Sequence, residues 1–189
     1  MSDPYKVVRD FEAALCEYTG AKYAVTTNSC TMALLLAVRW YYIKRSEQTC
    51  WPKLRQMSSA PIEIPKRTYV SVPMSIKHAG LDVAFREEEW LGAYQLKPFP
   101  VWDSARRFTS GMYVPGQFQC VSFHASKILG DTQGGAILHD NDEADAWLRR
   151  ARFDGRKEGV APKDDHFETI GWHCYLSADV AARLLLKLY

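Results

Sequence analysis

Residues 23–42 read YAVTTNSCTMALLLAVRWYY, and this stretch decides the fold. Tyr23 to Thr26 is aromatic, apolar and β-branched, which predicts a short strand. Asn28-Ser29-Cys30-Thr31 is a turn rich in N-capping residues, and Met32 to Tyr42 is an apolar helix. Strand, polar turn and helix in this order form the repeating step of α/β folds.

The same alternation continues on both sides. Upstream, Asp3-Pro4 opens a stretch with Val7, Val8, Phe11, Leu15 and Tyr18 on one face, and Gly20 stops it, which predicts an amphipathic packing helix. Downstream, residues 46–60 (SEQTCWPKLRQMSSA) lose periodicity and read as a surface loop. Strands are predicted at Ile62–Ile64, Leu81–Phe85, Val101–Trp102, Cys120–Phe123 and Ala136–Leu138. Helices are predicted from the 65–68 turn to Gly80, from Asp142 to about Phe153, and from Ser177 to Leu188. The expected architecture is α/β, with a mixed, mostly parallel sheet between helices.

Composition sets the outer limits. The chain has 189 residues, 47% of them hydrophobic, with 24 basic against 22 acidic side chains, which fits one compact soluble domain over 1–189 and excludes disorder and collagen-like repeats. No run of about 18 apolar residues occurs, and MSDPYKVVRD has no apolar h-region, so neither a membrane span nor a secretory signal is expected. The cytoplasm is the expected location. Cys16, Cys30, Cys50, Cys120 and Cys174 are odd in number and form no CxxC pair, which predicts reduced thiols and no zinc site.

Two basic clusters stand out from this near-neutral background. Residues 39–67 hold Arg39, Lys44, Arg45, Lys53, Arg55, Lys66 and Arg67 among Trp40, Tyr41, Tyr42 and Trp51. Arg149, Arg150, Arg152, Arg156 and Lys157 form the second. Cations interleaved with aromatics suit phosphates and stacked bases, so nucleic-acid contact through 39–67 competes with a solvated helix face over buried rings.

Three polar clusters fall at predicted strand ends, where open α/β sheets place ligands: Asn28 to Thr31, Asp103 to Arg107, and Ser122 to Lys127. Singly, each reads as an N-cap, a surface acid or a solvated lysine. Their order and spacing carry more. FEAALCEYTGAKYAVTTNSCTMALLLAV (11–38), PKRTYVSVPMSIKHAG (65–80), VWDSARRF (101–108) and SFHASKILGDTQGGAILHD (122–140) together resemble the DegT/DnrJ/StrS family of sugar aminotransferases. The likeness extends to RRARFDGR (149–156) and IGWHCYLSADVAARLLLKL (170–188).

The resemblance implies a pyridoxal-phosphate enzyme of the aspartate-aminotransferase fold, with the three-layer large domain. Lys127 then matches the lysine that holds the cofactor covalently and exchanges it for a substrate amine, work that needs a partly desolvated, neutral amine. Asp103 matches the acid that keeps the pyridine nitrogen protonated, so the ring can accept electrons. Tyr69 falls where the family stacks an aromatic ring on the cofactor. Cys30, Thr31 and Ser122 fall at the phosphate, the first two opening a helix whose amides suit an anion. His124 has a choice between the cofactor region and local hydrogen bonds.

Departures from the pattern sharpen the expectation. Cys30 stands for a family glycine, and Arg106 stands where Gln or His lies near the ring hydroxyl. His173 replaces an asparagine that reaches the cofactor phosphate of the neighbouring subunit, so a homodimer with a shared site is implied. Only REEEWLGAYQLKPFPVW (86–102) links the Leu81–Phe85 strand to Asp103, where the family carries another strand and helices; a sheet reduced in strand number is expected. The family's C-terminal small domain is expected to be absent.

The leading expectation is an aminotransferase-like enzyme that joins an amino-bearing substrate through a Schiff base, on a nucleotide-linked molecule. One alternative is a decarboxylase of an amino-acid-modified nucleotide or DNA base, as in viral thymidine hypermodification, which would place the chain in a host cytoplasm. Another is an inactive binding or regulatory relative, against which the retention of both Lys127 and Asp103 argues.

Overall fold

The computed structural model describes residues 3–47 and 60–189. Helix α1 (Lys6–Thr19) leads to strand β1 (Tyr23–Thr27), helix α2 (Cys30–Glu47), β2 (Ile62–Pro65), α3 (Ser71–His78), β3 (Val83–Arg86), β4 (Tyr94–Leu96), β5 (Val101–Asp103), β6 (Phe118–Ser122) and β7 (Gly135–His139). Helices α4 (Asp142–Ala151) and α5 (Ala178–Leu188) complete it, with a 3-10 turn at Pro162–Asp164 between them.

Five strands form one sheet in the order β1-β7-β6-β5-β4, and β2 pairs in parallel with β3. A single antiparallel bridge joins the two sheets: Glu63 N–H donates to Lys97 O at 2.9 Å and Lys97 N–H to Glu63 O at 3.1 Å. The spatial order is therefore β1-β7-β6-β5-β4-β2-β3. β1, β2, β3, β5 and β6 run one way, and β4 and β7 run against them. The expected mixed sheet is present, although only β5–β6 and β2–β3 pair in parallel.

Period-two alternation makes it the middle of three layers. Ala24, Val121, Ala136 and Leu138 point toward α1 and α5, where they meet Val8, Phe11, Leu15, Val180 and Leu184. Val25, Cys120 and Ile137 point the other way, toward Leu34, Leu36, Ile76 and Leu148 of α2, α3 and α4. Gly20 ends α1 at φ 81, a left-handed conformation that glycine adopts without a Cβ clash, and its N–H caps Cys16 O at 2.9 Å.

Segment 86–102 departs from expectation. It is short, as read, and no helix lies between β3 and β5. It nevertheless supplies a strand that the sequence reading did not name: β4 pairs antiparallel with β5, joined by the 97–100 turn. A tight turn can join only antiparallel neighbours, whereas a parallel pairing needs a crossover of a dozen residues or so. The shortened connection thus fixes the reversed direction of β4.

Charges also distribute differently from the sequence reading. Arg152 is buried, not a surface cation: it pairs with Glu12, and its Nη1 donates to Thr26 O at 2.8 Å. Arg149 Nη1 meets Glu12 Oε2 at 2.7 Å, and Arg150 reaches Asp165 at 3.3 Å. Glu12 Oε1 also accepts from Thr26 N–H at 2.9 Å, so one acid ties α1, β1 and α4 together. This is packing electrostatics, because a buried guanidinium must be matched by a buried carboxylate.

The 39–67 segment is drawn into the fold at its start, whereas Lys66 and Arg67 remain exposed. Trp40 is in the core, Tyr41 packs on Phe99 and Phe118, and Arg39 donates to Ala79 O at 3.2 Å. Lys44 pairs with Glu143, and Lys66 with Glu87. Cys50, Trp51, Lys53 and Arg55 lie outside the described residues, as does the side chain of Arg45. Cys16, Cys30, Cys120 and Cys174 are free thiols. Among the described residues no helix is long and apolar enough to cross a membrane, and no three His, Cys, Asp or Glu side chains cluster as metal ligands. On α5, Leu186 is exposed while Leu184 is buried.

Candidate active site

The sheet register gathers the chemistry at one end. Thr27 of β1 lies opposite Gly135 of β7, Gly135 opposite Ser122 of β6, and Cys120 of β6 opposite Asp103 of β5. The carboxyl ends of β1, β5 and β6 therefore line up, which is where open sheets bind ligands. A cleft of about 300 Å³ sits there, lined by Ser29, Cys30, Thr31, Tyr69, Asp103, Ser122, His124 and Lys127, with Ser71, Ser126, Gln133 and Gly134 among the remainder.

At one wall, α2 begins. Ser29 caps it, its Oγ accepting from Met32 N–H at 3.3 Å, while the first helical carbonyl bond runs from Ala33 N–H to Ser29 O at 3.1 Å. The amides of Cys30 and Thr31, in the first turn, have no acceptor within the helix and carry the positive end of its dipole. Gly135 lets this turn come close: a Cβ there would stand 2.5 Å from Cys30 N and 2.6 Å from Ser29 C. Thr31 Oγ1 donates to Ser71 Oγ at 2.9 Å, linking the first turns of α2 and α3.

On the floor lies Asp103, 6% exposed. Its Oδ1 accepts from Ala105 N–H at 2.9 Å and its Oδ2 from the Tyr94 hydroxyl at 2.8 Å. Burial pushes its pKa up, against the opposing pull of those two hydrogen bonds and of Lys127 and Arg106. The same burial raises the Cys30 thiol well above its ordinary range, with Asp103 adding to the effect, so Cys30 lines the cleft as a neutral thiol.

Lys127 arrives on the segment between β6 and β7, its N–H bonded to His124 O at 2.8 Å. That segment is anchored by Asp131, whose N–H meets Phe123 O at 2.9 Å and whose carboxylate pairs with Arg183 at 2.7 Å and Lys187 at 3.3 Å on α5. His124 faces the cleft but shares its Nδ1 with Ser126 Oγ at 3.1 Å.

Seven of the nine expected site residues, Cys30, Thr31, Tyr69, Asp103, Ser122, His124 and Lys127, line the cleft, and two stand apart. Arg106 is exposed, its guanidinium 5.6 Å from the Trp90 ring centroid and outside the lining. His173 is 72% exposed by side chain, paired through Nδ1 with Asp154 at 2.9 Å and likewise outside the lining. Tyr69 is no core tyrosine; it stands 74% exposed at the mouth. Ser71 and Tyr94 escaped the sequence reading. The signal for Tyr94 was the Tyr-x-Leu alternation just before the Lys97-Pro98 turn.

Comparison with known proteins follows the same outline. Residues 1–85 match the DegT/DnrJ/EryC1/StrS aminotransferase family. The UDP-4-amino-4,6-dideoxy-N-acetyl-beta-L-altrosamine transaminase of Campylobacter jejuni is 26% identical, over 95% of this chain and 55% of its own. Among solved structures, Helicobacter pylori PseC, an aminotransferase of pseudoaminic acid biosynthesis, superposes with a TM-score of 0.76 at 20% identity, covering 97% of this chain and 57% of its own. NtdA of Bacillus subtilis, with its cofactor PMP bound, gives 0.67 at 14% identity, covering 96% and 47%. The chain thus has the fold of these enzymes and spans about half the length of each.

Proposed function

We propose that this chain, a relative of the DegT/DnrJ/EryC1/StrS aminotransferases, holds pyridoxal phosphate in the 300 Å³ cleft and transfers an amino group to the keto carbon of a nucleotide-linked sugar. The carrying observation is the meeting of Lys127, Asp103 and the Cys30–Thr31 turn in one cleft, although Thr31 and Lys127 lie 96 positions apart in sequence. The donor set fits the group: amides and hydroxyls for a phosphate, a buried acid for a ring nitrogen, an amine for an aldehyde, and an exposed aromatic face.

When bound, the cofactor supplies an aldehyde that condenses with amines and a ring that accepts the electron pair of a carbanion. This chain's residues do the rest. The Cys30 and Thr31 amides and the Ser122 hydroxyl bind the phosphate. Asp103 has lone pairs beyond the two already used and accepts the ring N–H. The Tyr69 ring covers one face of the heterocycle. Lys127 Nζ removes a proton from the substrate carbon and returns one, and Asp131 orients it by tying its segment to α5.

The UDP-linked amino sugar in the name of the C. jejuni relative supports a nucleotide-sugar substrate, and both names support amino transfer over decarboxylation. A second copy of the chain is the partner this reading calls for. Tyr69, Val70 and Ile128 expose apolar surface beside the cleft, and His173 is free of the chain's own cleft, as a residue serving a neighbour's site would be.

The test is chemical. Protein purified with pyridoxal phosphate is expected to show a visible absorption band that Lys127→Ala removes, together with a loss of turnover of about a thousandfold or more. Borohydride reduction and peptide mapping should place the adduct on Lys127. An adduct on any other lysine overturns the assignment.

A further inference from the structure

The strand absent from the sequence reading carries a residue the resemblance did not supply. Tyr94 opens β4 directly opposite Asp103, the last residue of β5, and is 1% exposed. Its hydroxyl donates to Asp103 Oδ2 at 2.8 Å, which uses its only proton. The Thr68 hydroxyl also contacts the Tyr94 oxygen, so Thr68 must be the donor in that pair. Two hydrogen bonds thus run in one direction, Thr68 to Tyr94 to Asp103, each polarising the next. The Trp90 ring packs edge-on against Tyr94 at 4.8 Å, and Trp90 Nε1 is held by Arg67 O at 2.8 Å, so the phenol has one place to sit.

We infer that Tyr94 is a positioning residue for Asp103, holding Oδ2 from the β4 side so that the carboxylate stays ionised and keeps its remaining lone pairs toward the cleft. The inference rests on the reading of Asp103 as the partner of the cofactor's ring nitrogen. Asp103 sits where burial favours the neutral acid, and an acid that took up a proton could no longer hold that nitrogen protonated. The groups facing it are Tyr94 from β4, the Ala105 amide and Arg106 from the segment after β5, Cys120 from β6, Lys127 from the β6–β7 segment, and Cys30 from α2. Of these, Cys30 and Cys120 are neutral thiols. Tyr94 and Ala105 make the direct hydrogen bonds, and Tyr94 alone does so through a side chain that can be changed.

The experiment titrates the Asp103 carboxyl by carbon NMR in cofactor-free protein, with Asp103→Asn identifying the signal. Tyr94→Phe keeps the ring and its packing and removes one proton donor; the midpoint is expected to rise by about one pH unit, with Thr68→Val giving a smaller rise. In the loaded enzyme Tyr94→Phe should lower kcat about tenfold, leave KM within about twofold, and shift the pH profile of kcat in the same direction. A midpoint unchanged in Tyr94→Phe of wild-type melting temperature overturns the inference, and should that variant not fold, an unchanged midpoint in Thr68→Val does so. Failure of wild-type protein to take up pyridoxal phosphate would instead strike the proposed function, because the titration uses no cofactor.

Discussion

At the scale of the residue, the proposed function makes Asp103 the group whose charge the site depends on. Its two oxygens already accept from Ala105 N–H and Tyr94 OH; in Asp103→Asn the amide oxygen can keep the Ala105 bond while the amide NH2 donates to the Tyr94 oxygen, so the side chain stays held with one bond reversed. Asp103→Asn should therefore fold and retain the Lys127-linked cofactor, while turnover falls on the order of a hundredfold or more, because a neutral partner no longer holds the ring nitrogen protonated. Absorbance and rate, measured on the same preparation, should separate. Turnover near wild type would assign the ring's partner to another acid.

At the scale of the element, the meeting of β7 with the start of α2 is the tightest joint in the site. Gly135→Ala places a methyl 2.5 Å from Cys30 N, and neither backbone can retreat without loosening the Thr27–Gly135–Ser122 register. Stability should drop by about 2 kcal/mol, and affinity for pyridoxal phosphate should fall more than affinity for phosphate-free pyridoxal. Equal losses for the two would show that the turn does not hold the phosphate. Elements of this kind were legible in the sequence because they are local: a strand end, a capped turn and an apolar helix follow one another within 23–42, and Lys127 and Gly134-Gly135 share one segment. The cleft residues at strand ends were readable for that reason. β4 was not, because three residues become a strand only by pairing with β5, and Tyr94 acquires its role only from that pairing. Arg106 and His173 were placed by resemblance, and the short 86–102 connection puts Trp90 where Arg106 settles on it instead. The arginines of 149–156 misled because a charge run usually means a solvated face, whereas the acid that buries Arg152 lies 140 positions away.

At the scale of the whole molecule, two buried titratable groups sit on opposite sides of the sheet's first strands and set how the fold responds to acid. Burial holds His139 down to about 4, with Asp145 at 3.7 Å opposing in part, and its ring stacks on Phe118 at 5.0 Å. A base whose folded pKa lies below its ordinary 6.5 is protonated in the unfolded chain first, so stability is full above 6.5 and is lost as pH falls toward 4. Glu12 behaves as a depressed acid: burial alone would raise it, but Arg152 and Arg149 outweigh that and bring it to about 2, so its contribution is lost only as pH falls from 4.5 toward 2. Acidification should therefore weaken the fold in two successive windows that meet near pH 4.5, the first costing about 2 kcal/mol between pH 7 and pH 5. His139→Phe preserves a flat ring against Phe118 and cannot titrate, so it should flatten the first window and leave the second in place. Urea unfolding at a series of pH values reads both directly. The same slope between pH 7 and pH 5 in wild type and His139→Phe would assign the first window to another group, and a Glu12→Gln protein that kept a steep loss below pH 4.5 would do the same for the second.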